Sequence, residues 1–479
     1  MKRILFLVTG LLVSLVTSAQ VMSTTQFGVA KIKTGGGINV DASGALSVTL
    51  TTGSSTPVYS NTAVTLAELQ RVYNAATADK QINLMPGVYD IGENLLTLNL
   101  GGKRGVRIEG RKEVVFNLGS VGRMLINGSD SSLVVSGILF NCTATTGNTV
   151  ATGQGLLDVN ERGSHSDPLV VNCEFTAPNC LRNGISWNTY SATADNGDGT
   201  LALLRRLKIR NCKFYSLGRM GCEILNHTWS DGKVLTTIDG IEVEGCEFMD
   251  LGRIAEAYSP NPYNGMSLSV SGRAKHIRYI NNGCIDAKTY GLEIVGNEGV
   301  VIEGSTFDYI NNSYIPVSLA DGYGNGSDAT RDILVTNCYM RSKSRPMNSR
   351  GTTGINLVNN VFIGTTDDNS PNSNLYFQKC TGVSITGGSV STGSYNPLRF
   401  DDCKQVVIEV PRVTGTNTTS NYASISIYAG SGYTGAGASD YRIRLNGSIY
   451  KKNNGITTTA GQIYELQPNN GTITGVVTY

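Results

Sequence analysis

Ile209-Arg210-Asn211-Cys212-Lys213-Phe214 is the stretch that decides the fold, because variants of it recur along most of the chain. Each copy runs from an apolar residue through Asn or Gly and then Cys, Ser or Asn to a closing apolar residue. The other copies are Val170–Phe175, Val243–Phe248, Ile280–Ile285 with one additional residue, Ile302–Phe307, Val335–Met340 and Leu357–Phe362. The closest copies lie 21 and 22 residues apart, and the wider spacings are this unit plus a loop. Such a period predicts a solenoid.

A second short strand follows the turn in most copies. These strands are Gly184–Trp187, Gly221–Ile224, Gly265–Leu268, Gly291–Ile294, Pro316–Leu319, Asn374–Phe377 and Pro397–Phe400. Their residues alternate between apolar and polar, so one set of side chains faces inward and the other faces outward. Strands this short need neighbours above and below to pair their backbone groups, and parallel coiling supplies them. The sequence therefore predicts an all-β fold, a right-handed parallel β-helix.

The two ends of the solenoid carry different patterns. Thr65-Leu66-Ala67-Glu68 forms a capping box, followed by an apolar stripe at helical spacing. A solenoid must cover its open apolar end, so we predict an N-terminal capping α-helix, the alternative being a functional surface helix. After Val413 the repeat gives way to short strands and Gly-rich turns, which predicts a β-rich C-terminal cap. The predicted divisions are a leading segment at 1–19, an N-terminal module with a linker at 20–60, the β-helix at 61–412 and the C-terminal cap at 413–479.

Composition and the N-terminus limit the location and the partners of the protein. The 479 residues include 39 Lys and Arg against 37 Asp and Glu, so no broad basic surface is available for nucleic acid. Lys2-Arg3, the apolar run Ile4–Val16 and the small residues before Gln20 predict a secretory signal peptide cleaved after Ala19, with a retained anchor as the alternative. No later segment approaches about 18 unbroken apolar residues. We expect a secreted, extracellular chain with no membrane span after cleavage.

Ten cysteines in an exported chain raise the question of disulfides. Their placement argues against bridges, because several occupy one slot of the repeat, which predicts stacked buried thiols. That slot is held in turn by Cys173, Cys212, Cys246, Cys284, Ser305, Cys338 and Asn360. A zinc site is poorly supported, since no CxxC pair occurs and the chain has only three histidines. We predict no bound metal, apart from Ca²⁺ in the case of a lyase.

The residues after the helical segment resemble a known superfamily. Ile82-Asn83-Leu84-Met85-Pro86-Gly87-Val88-Tyr89-Asp90 is similar to the opening of the pectate-lyase-like β-helix superfamily, where a strand ends in a Pro-Gly turn and a Tyr enters the next strand. The resemblance covers roughly residues 60 to 415 and implies the helix-capped β-helix architecture. It leaves the chemistry open, because the superfamily includes lyases, hydrolases, esterases, epimerases and non-catalytic phage tailspikes.

A second resemblance lies upstream of the repeats. The segment Phe27–Val48 is similar to a short module of phage tail fibres and tailspikes, where it precedes a receptor-binding or depolymerase part. This implies a virion-surface protein and, by analogy, a homotrimer. The signal peptide departs from that pattern, because virion proteins assemble inside the cell. A secreted bacterial enzyme, which in this superfamily is usually a monomer, is therefore the competing interpretation.

Outward positions on the second strands predict where chemistry could take place. The middle outward residues of successive coils are Asp158, Ser186, Glu223, Ser267, Glu293, Ser318, Tyr376 and Arg399. Coils stack at about 4.8 Å, so Glu223 and Glu293 should lie about 9 to 10 Å apart, with Asp158 similarly spaced from Glu223. Such a carboxylate pair suits an inverting glycoside hydrolase. The alternative is that these residues are polar only because they face water.

Polar and aromatic residues near this row are candidates for substrate binding. Insertions at 189–201, 254–264 and 320–331 are rich in Tyr, Asn, Gly and Asp, which suits sugar recognition, although insertions are also tolerated on surfaces for no functional reason. The candidate binding residues are His227, Tyr258, Tyr263, Tyr323, Tyr376 and Arg399. A lyase would need a base and a cation beside a uronate carboxylate, and no lyase signature surrounds the available Lys and Arg residues.

Three functions remain open on the sequence alone. The first is an extracellular polysaccharide-binding protein of the phage tailspike or receptor-binding type, with or without depolymerase activity. The second is a secreted polysaccharide lyase or glycoside hydrolase, and the third is a non-catalytic surface adhesin. The expected partner in each case is a cell-surface or extracellular polysaccharide.

Overall fold

The structure is a computed structural model that describes part of the chain. The described residues are 37–40, 46–49, 56–58, 71, 81–99, 103–128, 130–144, 154–159, 164–188, 202–225, 236–252, 265–309, 315–321, 329–365, 375–392, 397–409, 412–415, 425–429, 437–444, 450–453, 456–457, 464–468 and 473–478. The predicted signal peptide lies outside these residues, as does the predicted capping helix apart from Arg71. Contacts divide the chain into two units, 1–55 and 56–479.

The second unit winds into coils whose strands pair in parallel with the coils above and below. In chain order, each full coil contributes to three faces. Face 1 contains Thr56–Val58, Gln81–Leu84, the first part of Arg107–Leu118, the first part of Val134–Cys142, Leu169–Val171, Ala202–Arg210, Thr236–Glu244, Lys275–Ile280, Glu298–Glu303, Arg331–Thr336, Thr353–Val358, Thr381–Thr386, Lys404–Glu409, Ala438–Arg444 and Ile473–Thr478. This arrangement confirms the predicted parallel β-helix. Crossover connections between parallel strands are right-handed in nearly all proteins, which is the predicted hand.

Faces 2 and 3 complete the coil. Face 2 contains Gly87–Gly92, the later parts of the two long strands shared with face 1, Glu174–Ala177, Lys213–Leu217, Glu247–Leu251, Gly283–Ile285, Thr306–Tyr309, Tyr339–Ser342, Val361–Gly364, Ser389–Thr392, Val413–Gly415 and Tyr450–Asn453. Face 3 is a separate sheet made of Leu95–Asn99, Arg123–Asn127, Gly155–Val159, Asn183–Asn188, Cys222–Leu225, Leu268–Ser271, Tyr290–Val295, Ile315–Ala320, Met347–Arg350, Leu375–Gln378, Leu398–Asp401, Ile425–Ala429 and Tyr464–Pro468.

A few short strands lie beside these faces. Lys103–Arg104, Asp130–Ser131 and His165–Ser166 pair in parallel, and Ile456–Thr457 pairs antiparallel with the strand at 450–453. The strands after Val413 add further parallel pairs to all three faces. In the first unit, Gly37–Val40 and Leu46–Thr49 form an antiparallel hairpin. No helix among the described residues is long and apolar enough to cross a membrane.

The core is built from side chains that stack on their equivalents in the next coil. Phe140, Phe175, Phe214 and Phe248 are fully buried on face 2, and consecutive rings lie parallel with centroids 4.7 to 4.9 Å apart. This spacing is the distance between paired strands, so the register of the backbone sets the stacking of the rings. The recurring apolar position at the end of each sequence copy is therefore the core of the β-helix.

The Asn or Gly of each copy has a specific backbone role. Asn172, Asn211, Asn281, Asn337 and Asn359 turn the corner between faces 1 and 2 with φ between 52° and 54°. This left-handed conformation favours Asn and Gly. Gly304 takes the same corner with φ of 58°, and a Cβ there would lie 2.3 Å from Oδ1 of Asn281 in the coil below.

The cysteine slot lies directly after this corner. All ten cysteines are buried thiols, and Cys173, Cys212 and Cys246 precede the register-paired residues Glu174, Lys213 and Glu247. The predicted stack is confirmed for these coils. The assignment of Cys284 to the slot is wrong, because Cys284 pairs with Phe248 and Phe307 in the ring position. Asn282 holds the slot instead, and its Oδ1 accepts the N–H of Cys246 at 2.8 Å.

Candidate functional site

The outward row of face 3 contains all three predicted catalytic residues, Asp158, Glu223 and Glu293. Strand pairing aligns Asp158, Ser186, Glu223, Ser269, Glu293, Ser318, Asn348, Tyr376, Arg399 and Ser426. We call these ten residues the face 3 row. Asp158, Glu223 and Glu293 occupy alternate strands of this row, so each is two strand spacings, about 9.6 Å, from the next.

One predicted member of the row is wrong, and three members were missed: Ser269, Asn348 and Ser426. Glu223 pairs with Ser269, whereas Ser267 aligns with Gly221 and Gly291 and contacts Tyr279 Oη at 3.0 Å. A shift by two residues preserves the alternation of apolar and polar residues, so the sequence pattern could not distinguish the two serines. The prediction also passed over Asn348, because the strand Met347–Arg350 has only one strongly apolar residue.

The first half of the row contains a buried polar cluster around Glu223. The Arg219 guanidinium donates from Nη1 to Oε2 and from Nη2 to Oε1 of Glu223, both at 2.8 Å. Asn183 Nδ2 donates to Glu223 Oε2 at 2.8 Å and to Ser186 Oγ at 2.9 Å. Glu223 is 3% exposed, and Asn183 and Ser186 are 0% exposed. We call Asn183, Ser186, Arg219 and Glu223 the Glu223 cluster. Two parallel bonds from one guanidinium fix a carboxylate in position and orientation.

Glu293 occupies the other side of Ser269 in a different environment. Ser269 Oγ donates to Glu293 Oε2 at 2.9 Å. Burial raises the pKa of the Glu293 carboxyl to about 7, with a further rise from the charge of Glu223, while the bond from Ser269 and the charge of Arg219 act against it. At neutral pH Glu293 therefore retains its proton in a large fraction of molecules. Glu223 has a cation as its partner and Glu293 has a hydroxyl.

Asp158 lies on the N-terminal side of the Glu223 cluster. Its Oδ2 is 3.1 Å from Nε of Arg123, and Nη1 of Arg123 also donates to Oε1 of Gln154 at 2.9 Å. Both partners of the ion pair are less than one fifth exposed. Ser186 separates Asp158 from Glu223 in the row. The structure thus provides three carboxylates in line, of which the middle one is held by the strongest network.

The C-terminal half of the row forms a second cluster, of arginine and aromatic residues. The guanidinium of Arg345 lies over the ring of Tyr376, 4.3 Å from its centroid, and Arg399 lies 4.4 Å from the ring centroid of Tyr428. Tyr376 Oη donates to Asp401 Oδ2 at 2.8 Å, and Arg399 donates to both Asp401 oxygens at 2.9 Å. Burial raises the pKa of the Tyr376 hydroxyl. Tyr376 and Arg399 are therefore neighbours, as predicted from the sequence, and two more aromatic and cationic groups join them.

The remaining predicted binding residues belong to segments that the structure does not describe. His227, Tyr258, Tyr263 and Tyr323 lie outside the described residues, so their roles stay predictions. Sequence reasoning missed Asn183, Arg219 and Ser269. Arg219 lies four positions before Glu223 across a Gly-containing turn, and a search for oppositely charged residues beside the row would have found that pair. Among the described residues, no group of three or more His, Cys, Asp or Glu side chains is arranged to hold a metal ion.

Known proteins resemble this chain in the fold of the backbone alone. No family model matches the sequence, and no curated protein matches it. The chain is similar to a solved alginate lyase of family PL6 in complex with a trisaccharide, with 12% identity, a TM-score of 0.42 and coverage of 88% of this chain and 94% of that one. It is also similar to the A-module of the mannuronan C-5 epimerase AlgE6 of Azotobacter vinelandii, with 13% identity, a TM-score of 0.41 and coverage of 86% and 94%. It is similar as well to ORF18 of Geobacillus virus E2, with 11% identity, a TM-score of 0.29 and coverage of 86% of this chain and 58% of that one.

Proposed function

We propose that the protein binds an extracellular polysaccharide along face 3 and hydrolyses its glycosidic bonds with Glu293 and Glu223. The observation that carries the proposal is the contrast between two carboxylates at equivalent positions two strands apart. One is held by a bidentate arginine, and the other is half-buried beside a serine, with its pKa raised to about 7. Two titratable groups whose environments differ in this way are the usual basis of acid and base roles.

Glu293 supplies the proton in this proposal. A glycosidic oxygen leaves as an alcohol only if it receives a proton as the bond to the anomeric carbon breaks. A carboxylic acid with a pKa near the working pH is both protonated in the resting state and acidic enough to give the proton up. The burial that raises the pKa of Glu293 meets this requirement.

Glu223 supplies the carboxylate that activates water. Its three hydrogen bonds from Arg219 and Asn183 fix the direction of its oxygens. The strand spacing between the two residues, about 9.6 Å, is close to the 6.5–9.5 Å that leaves room for a water molecule in inverting hydrolases. We therefore expect inversion at the anomeric carbon. Asp158 would extend the acidic part of the face 3 row without touching the reacting atoms.

A second candidate is a receptor-binding protein that holds the polysaccharide without cutting it. The resemblance of Phe27–Val48 to a tail-fibre module supports this candidate, and the Arg345, Tyr376, Arg399 and Tyr428 cluster offers aromatic and cationic groups for sugar contact. In this case the Glu223 cluster would serve to hold the coils together. Extracellular location and homotrimeric assembly would follow from this candidate, and a monomer from the enzyme.

The test is a cleavage assay on a panel of neutral and acidic polysaccharides, with new reducing ends as the readout. We expect activity on at least one of them, with kcat lowered by about 10²- to 10⁴-fold in Glu293→Gln and Glu223→Gln. Glu298→Gln on face 1 is the matched control and should be unchanged, because Glu298 pairs with Arg331 on another face of the coil. NMR of the first product should show the inverted anomer.

Other outcomes would overturn the proposal. Undiminished cleavage in Glu293→Gln would exclude Glu293 as the acid. Unsaturated products that absorb in the near ultraviolet would mean a lyase. Binding of a polysaccharide without cleavage by the wild type, in a protein that sediments as a trimer, would establish the receptor-binding candidate instead.

A further inference from the structure

We propose that Cys142 and Cys180 join in a disulfide when the protein folds in an oxidising compartment, and that this bond fixes the turn from which Asn183 reaches Glu223. The two Sγ atoms lie 3.0 Å apart in the interior, 38 residues apart in sequence. Both thiols are buried, with 3% and 0% of their surfaces exposed. A disulfide has its sulfurs about 2.05 Å apart, so closing the bond needs a movement of about 1 Å.

The contact sets this pair apart from the cysteines of the repeat slot. Sγ of Cys173 lies 3.5 Å from the carbonyl of Val171 and 3.7 Å from that of Val135. Sγ of Cys212 is directed at the carbonyl of Arg210 in the same way, at 3.3 Å. Those thiols have backbone acceptors, as expected of structural cysteines, although Cys212 also interacts with the thiols of Cys173 and Cys246. Cys142 and Cys180 have each other, although Cys142 Sγ is also 3.4 Å from the carbonyl of Gly119.

The two turns that carry these cysteines already lie against each other. Cys142 ends a strand shared by faces 1 and 2, and Asn179, which precedes Cys180, donates from Nδ2 to the carbonyl of Ala144 at 3.3 Å. The N–H of Arg182 bonds back to the carbonyl of Cys180 at 2.8 Å, which closes a tight turn. A covalent link between the sulfurs would therefore join segments that are neighbours without it.

The same turn positions part of the candidate site. Arg182 is fully buried and donates to the carbonyls of Ser120 at 2.8 Å and Gly155 at 2.6 Å, which ties the turn to two preceding coils. The next residue, Asn183, donates to Glu223 at 2.8 Å. A bond at Cys180 thus restrains a segment of four residues that ends in the Glu223 cluster. The proposed disulfide does not depend on the proposed function. Only the role of Asn183 at the Glu223 carboxylate rests on that function.

The chemistry requires an external disulfide as the oxidant. The thiolate of Cys142 attacks the donor disulfide and forms a mixed disulfide, one donor thiol leaving. The thiolate of Cys180 then displaces the second donor thiol, so that two protons are lost from the protein thiols and the donor ends as two thiols. Because both sulfurs are inaccessible in the folded chain, the exchange takes place while the coils close.

The experiment counts thiols in the full chain folded in two ways. One sample is refolded with a mixture of reduced and oxidised glutathione and the other with dithiothreitol, and both are then denatured and alkylated. We expect all but two of the ten cysteines to be alkylated in the oxidised sample, with a linked peptide containing Cys142 and Cys180. Alkylation of all ten in the oxidised, folded sample would overturn the proposal, as would a link between other cysteines.

Matched variants separate the bond from general effects of removing a thiol. Cys142→Ala should leave every remaining thiol alkylatable, whereas Cys212→Ala, in the repeat slot, should retain the link. If Cys142→Ala does not fold, the wild type still decides, because its Tm should be higher in the oxidised sample than in the reduced one. An equal Tm with an identical peptide map in both samples would contradict the proposal. Loss of polysaccharide cleavage alone has no bearing on it.

Discussion

Faces 1 and 3 present outward rows with the same residue types and very different surroundings. On face 1, Glu242 pairs with Arg210 and Arg278, whose side chains are 40% and 52% exposed. On face 3, Glu223 pairs with Arg219, and their side chains are 4% and 10% exposed. Glu242 and Glu223 both lie at outward positions of strands, but Arg219 comes from the turn that precedes the strand of Glu223. Glu242 itself is 14% exposed, but both of its arginine partners reach the solvent, whereas Arg219 and Glu223 are both largely buried and depend on each other.

The largest difference should appear when one cation is removed from each face. Arg219→Met keeps the length of the side chain but leaves the Glu223 carboxylate buried without its ion pair, which costs about 3–5 kcal/mol. Arg331→Met removes the partner of Glu298 on face 1, where both groups are solvated, and should leave the free energy of unfolding unchanged within error. Denaturant unfolding of both variants measures the contrast.

A double variant sharpens this test. In Arg219→Met with Glu223→Gln, the buried charge is gone as well, so the loss of stability should be smaller than in Arg219→Met alone. Equal losses in Arg219→Met and Arg331→Met would show that the two faces do not differ in the way the burial of their side chains indicates.

The second prediction concerns the pH dependence of stability at Glu293. The folded protein keeps a proton on Glu293 up to about pH 7, against an ordinary pKa of 4.5, because burial disfavours the carboxylate. The contribution of Glu293 to the free energy of unfolding is full below pH 4.5 and is lost as the pH rises to about 7. At about 1.4 kcal/mol per pKa unit, the loss reaches about 3 kcal/mol at pH 8. Glu293→Gln should match the wild type near pH 4 and exceed its free energy of unfolding by up to that amount at pH 8.

Glu298→Gln on face 1 is the control of opposite sign. The hydrogen bond from Arg331 lowers the pKa of Glu298, so its contribution is present above the ordinary pKa of a glutamate and is lost as pH falls. The variant should therefore fall slightly below the wild type at neutral pH and approach it in acid. If Glu293→Gln followed the same course, the carboxyl of Glu293 would not be buried.

The sequence predicted the fold well because each part of the repeat has a local physical reason. Asn211 and its equivalents turn a corner that needs a left-handed residue, and Phe214 and its equivalents stack at the strand spacing. The same reasoning found Glu223, Glu293, Tyr376 and Arg399 at outward positions. It could not distinguish Ser267 from Ser269, because a shift of two positions leaves the alternation of apolar and polar residues unchanged. Nor could it predict which outward row is buried, since burial depends on the whole coil.

The third prediction compares two asparagine side chains. Asn183→Ala removes an amide that bonds Ser186, Glu223, Arg219 and the N–H of Met220. Buried partners left without their hydrogen bond cost about 1–3 kcal/mol. Asn141→Ala on face 2 removes one bond, to Oδ1 of Asn117 at 3.0 Å, in a half-buried position, and should cost about 0.5–1.5 kcal/mol. Unfolding midpoints decide the order, and the reverse order would mean that the Glu223 cluster is not tightly bonded.

The smallest effect should be the response of each face to salt. Ions screen charges at the surface over about 10 Å at 0.1 M and about 3 Å at 1 M, whereas they reach buried pairs much less. The difference in stability between the wild type and Glu242→Gln should therefore shrink as NaCl is raised, because Arg278 is half exposed. The difference between the wild type and Arg219→Met should persist, since that pair is buried. A salt series of unfolding midpoints measures both, and a parallel decline of the two differences would mean that ions screen the charges of the Glu223 cluster as fully as they screen those of face 1.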